Sequence, residues 1–237
     1  MRKNRTLLIM LVLSSFLLIS CKKVSSAVPQ LVIQGNIYDE PGPYVVNISK
    51  TVNFDTPNIF PAVTNAVVTI SDNTGISEEL SQATDGNYVT SAIHGVVGHT
   101  YTLTVKVDGK TYTASSTIPR AVEIDTIYFK KSIFGGGRLI TLDFQNLAGT
   151  ENFYQVIHLL NDKQVPGFSV FSNNTVQTER ISYSFMTTNS TPILVAGNKI
   201  DVWLECIDKG VFDYFRTANR DRGRSASPAN PVTNITN

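Results

Sequence analysis

The chain has 237 residues, with 20 Lys and Arg against 19 Asp and Glu and a formal net charge of +1. So even a balance excludes the concentrated basic surface that a phosphate backbone requires, and nucleic acid is not an expected partner. Hydrophobic residues make up 42% of the chain, an ordinary globular level, and the length allows one large domain or two small ones.

Arg2, Lys3 and Arg5 lead into an apolar run from Leu7 to Ile19, interrupted by Ser14 and Ser15. A membrane-spanning helix wants ~20 apolar residues, so this run is short for one. A cationic flank with a short apolar stretch is the layout of a secretory signal, and residues 1–20 read as that signal. The run closes on Leu18-Ile19-Ser20-Cys21. This resembles the lipobox of bacterial lipoproteins. The resemblance implies cleavage after Ser20, a thioether-linked lipid on Cys21 and acylation of the new amino terminus. One acyl chain anchors only marginally, at ~0.8 kcal/mol per buried CH₂, and stable anchoring takes more than one. A triacylated Cys21 meets that requirement without a spanning helix. Lys22 and Lys23 either add attraction to anionic headgroups, up to ~1 kcal/mol each, or simply solvate the tether. No Asp follows Cys21 and no acidic cluster follows it. That points to the outer membrane as the location, with either of its faces compatible.

Cys206 is the only other cysteine, so a lipidated Cys21 leaves it no intramolecular disulfide partner. It alternates with Ile200, Val202 and Leu204 on one face of an expected strand and reads as a core thiol.

Beyond the tether, Leu31 to Ile37 reads as a strand. Tyr44, Val46 and Ile48 alternate on one face of the next, and Ala66, Val68 and Ile70 mark a third. Asp72-Asn73-Thr74-Gly75 supplies turn chemistry, and Asp85-Gly86-Asn87 punctuates again. The clearest hairpin places Tyr101, Leu103, Val105 and Val107 on one face, turns at Asp108-Gly109 and continues through Tyr112, Ala114 and Ile118. Six or so short strands with frequent turns predict a β-sandwich. Ser115 to Val122, around Pro119, reads as a junction to a second unit. There Ile140, Leu142 and Phe144 alternate after Gly135-Gly136-Gly137, and Ile181, Tyr183 and Phe185 form another inward stripe. Phe153 to Leu160 is apolar on both faces, as in a central strand, and Lys199 to Ile207 reads as another strand. Only Asp208 to Ala218 reads as helix, with Asp208 as N-cap and Val211, Tyr214, Phe215 and Ala218 at helical spacing. The tail beyond is polar and rich in Ser, Pro and Asn.

The fold class expected is therefore all-β, with two β-sandwich-like domains and one short C-terminal helix. The divisions are signal 1–20, lipidated tether 21–29, first sandwich 30–119, second β-domain 120–219 and polar tail 220–237.

Several stretches together resemble the domain-of-unknown-function family 4249. They include Leu31-Val32-Ile33-Gln34-Gly35 and Gly42-Pro43-Tyr44-Val45-Val46-Asn47-Ile48-Ser49-Lys50-Thr51. They also include Asn65-Ala66-Val67-Val68-Thr69-Ile70-Ser71-Asp72, Gly98-His99-Thr100-Tyr101-Thr102-Leu103 and Gly109-Lys110-Thr111-Tyr112-Thr113-Ala114. Ile118-Pro119 and Ile124-Asp125-Thr126-Ile127 follow. The resemblance implies a Gram-negative outer-membrane lipoprotein with an immunoglobulin-like or transthyretin-like first domain. It also implies a genomic setting beside TonB-dependent transporters and supplies no catalytic residues to carry over. Family members continue past a segment like Asn230-Pro231-Val232-Thr233-Asn234-Ile235 into a further strand, and this chain stops at Asn237, so an open sheet edge is expected.

His94 and His99 are five apart in a Gly-rich segment without an adjacent carboxylate, and read as surface loop rather than as a zinc pair. His158 sits in an apolar strand as a hydrogen-bonded, buried or half-buried imidazole. The Asp-rich turns lack the spaced carboxylates of a calcium loop. Gly135-Gly136-Gly137 lacks the ending of a phosphate loop, Glu78-Glu79 reads as a solvated pair, and no Gly-x-Ser-x-Gly elbow occurs. No metal or cofactor is expected. Most tyrosines fall on alternating strand faces and read as core. Trp203 is out of phase with Val202, Leu204 and Cys206, between Asp201 and Glu205, so it packs on the other sheet face or is exposed as a contact residue. The expected role is a non-enzymatic accessory or ligand-capture lipoprotein working with a TonB-dependent transporter. The alternatives are a structural or adhesive surface protein and, last, a hydrolase.

Overall fold

The computed structural model describes residues 28–53, 56–131, 138–147, 149–167, 169–174, 179–185, 194, 196–220 and 233–234. Cys21, the signal, most of the tether, Gly135-Gly136-Gly137 and nearly all of the tail lie outside the described residues. The chain is mostly β-strand, in several antiparallel sheets with one short C-terminal helix.

Alternation decides which side chains go inside. In β2 (Val45–Lys50), Val46 and Ile48 are buried together with the preceding Tyr44, while Val45 is exposed. This strand lies in a sheet of order β1-β2-β6-β5, with β1 (Leu31–Gly35), β6 (Asn87–Val89) and β5 (Ser81–Gln82). A second sheet has the order β4-β3-β7-β8, from β4 (Ser77–Glu79), β3 (Val67–Asp72), β7 (Thr100–Val107) and β8 (Lys110–Thr117). The two share one core. Tyr44, Val46, Ile48 and Tyr88 meet Val68, Ile70, Tyr101, Val105 and Val107 there. Its most buried phenol is satisfied: the Tyr88 hydroxyl donates to the Val63 carbonyl at 3.0 Å and accepts the Ala66 N–H at 3.0 Å. The expected hairpin is β7–β8, where Asp108 and Gly109 take φ of 50° and 73°, as a tight I′ turn demands. Asp85 and Gly86, at φ of 39° and 77°, do the same between β5 and β6.

A third sheet has the order β14-β10-β9, from β14 (Arg180–Phe185), β10 (Arg138–Gln145) and β9 (Ile124–Lys131). The fourth is built on β11 (Phe153–Leu160). It carries β15 (Ile200–Ile207) along one edge and β12 (Lys163–Gln164) and β13 (Ser169–Ser172) along the other. These two sheets enclose a second core of Ile140, Leu142, Phe144, Ile181, Phe185, Tyr154 and Val156. One margin is closed by Phe171 of β13 stacked on Tyr183 of β14, with ring centroids 3.8 Å apart. At the other margin, Ile127 and Phe129 of β9 lie opposite Leu142 and Ile140 and so face the same side. They are nevertheless 48% and 50% exposed.

The helix α1 (Lys209–Arg220) starts where expected, because the Asp208 carboxylate accepts the Val211 N–H at 2.8 Å. It lies on the outward face of β11, with Phe212 4.8 Å from Phe153 between ring centroids.

Some sequence expectations shift. β1 ends at Gly35 rather than Ile37, and β8 runs through Thr117, past the expected junction at Ser115. Glu78 is not a solvated side chain. Its carboxylate accepts the backbone N–H groups of Ser91, Ala92 and Ile93 at 2.5, 3.1 and 2.7 Å. Burial pulls its pKa up, but the hydrogen bonds from Ser91, Ile93 and Ala92 outweigh that and hold it below the usual range. His158 is buried as expected, yet its Nε2 finds no hydrogen-bond partner among the described residues.

Candidate functional site at the seam of the two cores

The loop after β1 carries Asn36, Ile37, Tyr38, Asp39 and Glu40, and its Asn36 and Ile37 share a cavity wall with Ser116 of β8. Its path is fixed by one buried phenol. The Tyr44 hydroxyl faces the carbonyls of Tyr38 at 3.0 Å and Glu40 at 2.5 Å, and accepts the Gly95 N–H at 2.8 Å. Gly95 allows this because a Cβ there would overlap the Tyr38 carbonyl. The loop is thus a cradled segment.

On the far side of the seam stands β15. Its inward residues Ile200, Val202, Leu204 and Cys206 pack against the second core. Asp201, Trp203 and Glu205 point outward by alternation. Trp203, 55% exposed, pairs across the ladder with Ile157, and Glu205 pairs with the buried Gln155. Glu205 is half-buried, and that burial pushes its carboxyl pKa up. Tyr38 lies close enough to feel it: burial and then the Glu205 charge raise the Tyr38 hydroxyl, with the Asn36 amide opposing. Burial also raises the Cys206 thiol, with the Val122 backbone amide opposing and the Asp39 charge assisting. A thiol shifted this way holds its proton and is a poor nucleophile, in keeping with a core role.

A cavity of about 110 Å³ opens beside the seam. Ile33, Ile37, Ile70 and Leu103 line its apolar wall, and Asn36, Ser116 and Asn234 contribute polar groups. It is smaller than the ~150 Å³ that hold a benzene, and it is partly open to solvent rather than enclosed. Ser116 also donates to the free oxygen of Asp208, tying β8 to the start of α1. Asn234 stands against Gly210 of that helix.

The other singled-out residues fall elsewhere. His99 is not bare loop: Asp72, from across the sheet, places Oδ2 3.2 Å from its Nδ1. Burial pulls the Asp72 carboxyl up, but bonds from Thr74, the Ile76 N–H and His99 hold it below the usual range. The same carboxylate closes the expected turn by accepting the Thr74 and Ile76 N–H groups, both at 2.9 Å. His94 is apart from this pair, and its carbonyl accepts the Tyr101 hydroxyl at 2.7 Å. No cluster of three His, Cys, Asp or Glu suited to a metal occurs among the described residues. Sequence reasoning singled out Trp203 and missed Tyr38 and Glu205. The signal available for Glu205 was a carboxylate sharing strand phase with an out-of-phase tryptophan. Tyr38 lies in a loop and gave none.

A search of curated proteins finds no match to this chain. The family model described as "Domain of unknown function (DUF4249)" matches residues 22–237, nearly the whole of the chain. With the stretches of β1, β2, β3, β7 and β8 that carried the resemblance all folded into one two-sheet core, the chain belongs to the DUF4249 family.

Proposed function

We propose that this protein is a lipid-anchored outer-membrane accessory protein that captures a ligand and acts with a TonB-dependent transporter, without catalysis of its own. The observation that carries the reading is the seam, where Ser116 of β8 meets Asp208 at the start of α1 and a cavity of about 110 Å³ opens beside the loop after β1. Recognition sites favour such junctions between packed units, with few polar groups set among apolar ones. The Leu18-Ile19-Ser20-Cys21 run supports the anchor. A second reading, a structural or adhesive surface protein, is favoured by β9, whose exposed Ile127 and Phe129 offer a contact strip.

Crosslinking in native outer membranes, followed by mass spectrometry of what the full-length protein pulls down, separates the two. Recovery of one TonB-dependent transporter in comparable amount supports the accessory role. Recovery of no reproducible partner turns the reading toward adhesion. In the same preparation, Cys21→Ala is expected to be missing from the outer-membrane fraction, since every acyl chain is lost with the thioether. A variant recovered there in full amount would end the lipid-anchor reading.

A further inference from the structure

Apolar side chains left in water one at a time are ordinary on a folded chain, and only a grouped, firmly held set calls for a partner. One such set stands where the chain enters the first core. Val28 is 83% exposed and Ile59 78%, the two highest values among the large apolar side chains of the described residues, and Phe60 follows at 56%. Printed contacts bring them to one end of the sheets. The Gln30 N–H donates to the Thr51 hydroxyl, and the Thr51 N–H donates to the Gln30 carbonyl, both at 2.8 Å. Leu31 pairs with Lys50, whose N–H donates to the Pro61 carbonyl at 2.9 Å. The backbone that carries Val28 and the backbone that carries Ile59-Phe60 thus lie within two strand spacings, about 10 Å. The return of the loop is held to β2, by the Val63 N–H on the Ile48 carbonyl at 2.9 Å and by the Ser49–Ala62 bridge. Pro57 and Pro61 stiffen the chain on either side of Ile59 and Phe60, and the Ile59 N–H is turned onto the Pro57 carbonyl at 2.7 Å.

Covalent geometry sets what this end can reach. Seven peptide links separate Cys21 from Val28, a span of roughly 25 Å at full stretch. With lipid on Cys21, the bilayer surface lies within that distance of Val28. The opposite end of the sheets is a strand length further off, about 20 Å along β3 from Val67 to Asp72. A second copy of the chain would also cover apolar side chains, but the tether brings only the bilayer to this end. We propose that this end of the first core sits on the membrane, with Ile59 and Phe60 entering the boundary between headgroups and acyl chains, ~5–10 Å deep. The lipid then sets attachment, and the Ile59-Phe60 pair sets orientation. The proposal rests on the lipid anchor proposed above, and its test reads the two separately.

Trp203→Phe removes the only tryptophan in the chain. Into that background one indole is returned by Phe60→Trp or, at the adjacent position, by Ile59→Trp. The control is Ile76→Trp, at a residue 57% exposed in the turn between β3 and β4, at the opposite end of the sheets. The full-length lipid-modified proteins are incorporated into vesicles of phosphatidylethanolamine and phosphatidylglycerol, with and without bromine on the acyl chains. Sedimentation with the vesicles reports the anchor, and quenching of the indole by bromine reports the docking. The expected result is sedimentation of all three, with circular dichroism unchanged. Emission is expected to fall at least about twofold for Phe60→Trp and Ile59→Trp, and not for Ile76→Trp. Failure to sediment would overturn the anchor and the docking together. Sedimentation with equal quenching at both ends, or with none for Phe60→Trp and Ile59→Trp, overturns the docking alone. Emission from those two variants that shifts with protein concentration and not with bromine does the same, because it marks a second copy on this face.

Discussion

Gly95→Ala is expected to cost the first core about 3 kcal/mol, at the upper end of the range for overpacking. An added Cβ would overlap the Tyr38 carbonyl oxygen and lie 2.9 Å from Ile118 Cδ1. The first neighbour is backbone, and that backbone is itself fixed by the Tyr44 hydroxyl. Nothing flexible is available to give way, so the loop at Tyr38 or the turn before β7 must move. Gly98→Ala is the matched control. It lies three residues on, has φ of 85° and finds nothing within 4 Å of an added Cβ. Its cost is the left-handed backbone alone, about 1–2 kcal/mol. Urea unfolding of both variants, followed by circular dichroism, checks the difference. Equal losses would mean that the seam loop is not held as described.

Acid is expected to weaken the second core through His158. This imidazole is 8% exposed, lies on the inner face of β11 and stands 5.0 Å from the Phe185 ring centroid. Burial pushes its pKa below the ordinary 6.5, because the charged form would lose its hydration among apolar neighbours. The sign follows from proton uptake. Below about pH 6.5 the unfolded chain binds a proton at this position and the folded chain does not. The stability that neutral His158 supports is therefore complete above pH 6.5. It is lost as the pH falls from there through the lower folded value. Asp72, Glu78 and Asp213 also have depressed pKa values, but their stabilisation is lost only below the ordinary carboxylate range near 4. Denaturation midpoints at pH 7.5 and 5.5 should thus fall in the wild type and hold in His158→Phe. A wild type and variant with parallel pH dependence would remove His158 as the cause.

The strands with clean alternation were legible in advance. Tyr44-Val46-Ile48, Tyr101-Leu103-Val105-Val107 and Ile140-Leu142-Phe144 each bury one face, as a period of two demands. The turn at Asp108-Gly109 and the cap at Asp208 were legible for a similar reason, since each is local chemistry. The short strands β4, β5, β12 and β13 were not. They carry too few apolar residues to show a period, and tertiary pairing alone defines them. Glu78 was misread because its three backbone partners lie thirteen to fifteen residues away and no local pattern announces them. The seam was least legible of all. Trp203 stood out by phase, but the cavity beside the loop after β1 draws its lining from residues as far apart as Ile33 and Asn234. Such a lining depends on how distant stretches of the chain come together.

That separateness has a kinetic consequence. The first core draws its side chains from Leu31 to Ile118, and the second from Val122 to Cys206, without overlap along the chain. A polypeptide emerging amino terminus first can close its first pair of sheets before β10 and β11 are available. The slow steps lie inside each half, where β2 waits for β6 and β11 waits for β15 across some forty to fifty residues. The Ser116–Asp208 contact joins the two halves and is expected to form last, as two finished bodies dock. A chain stalled before that docking would display folded sheets with the seam still open.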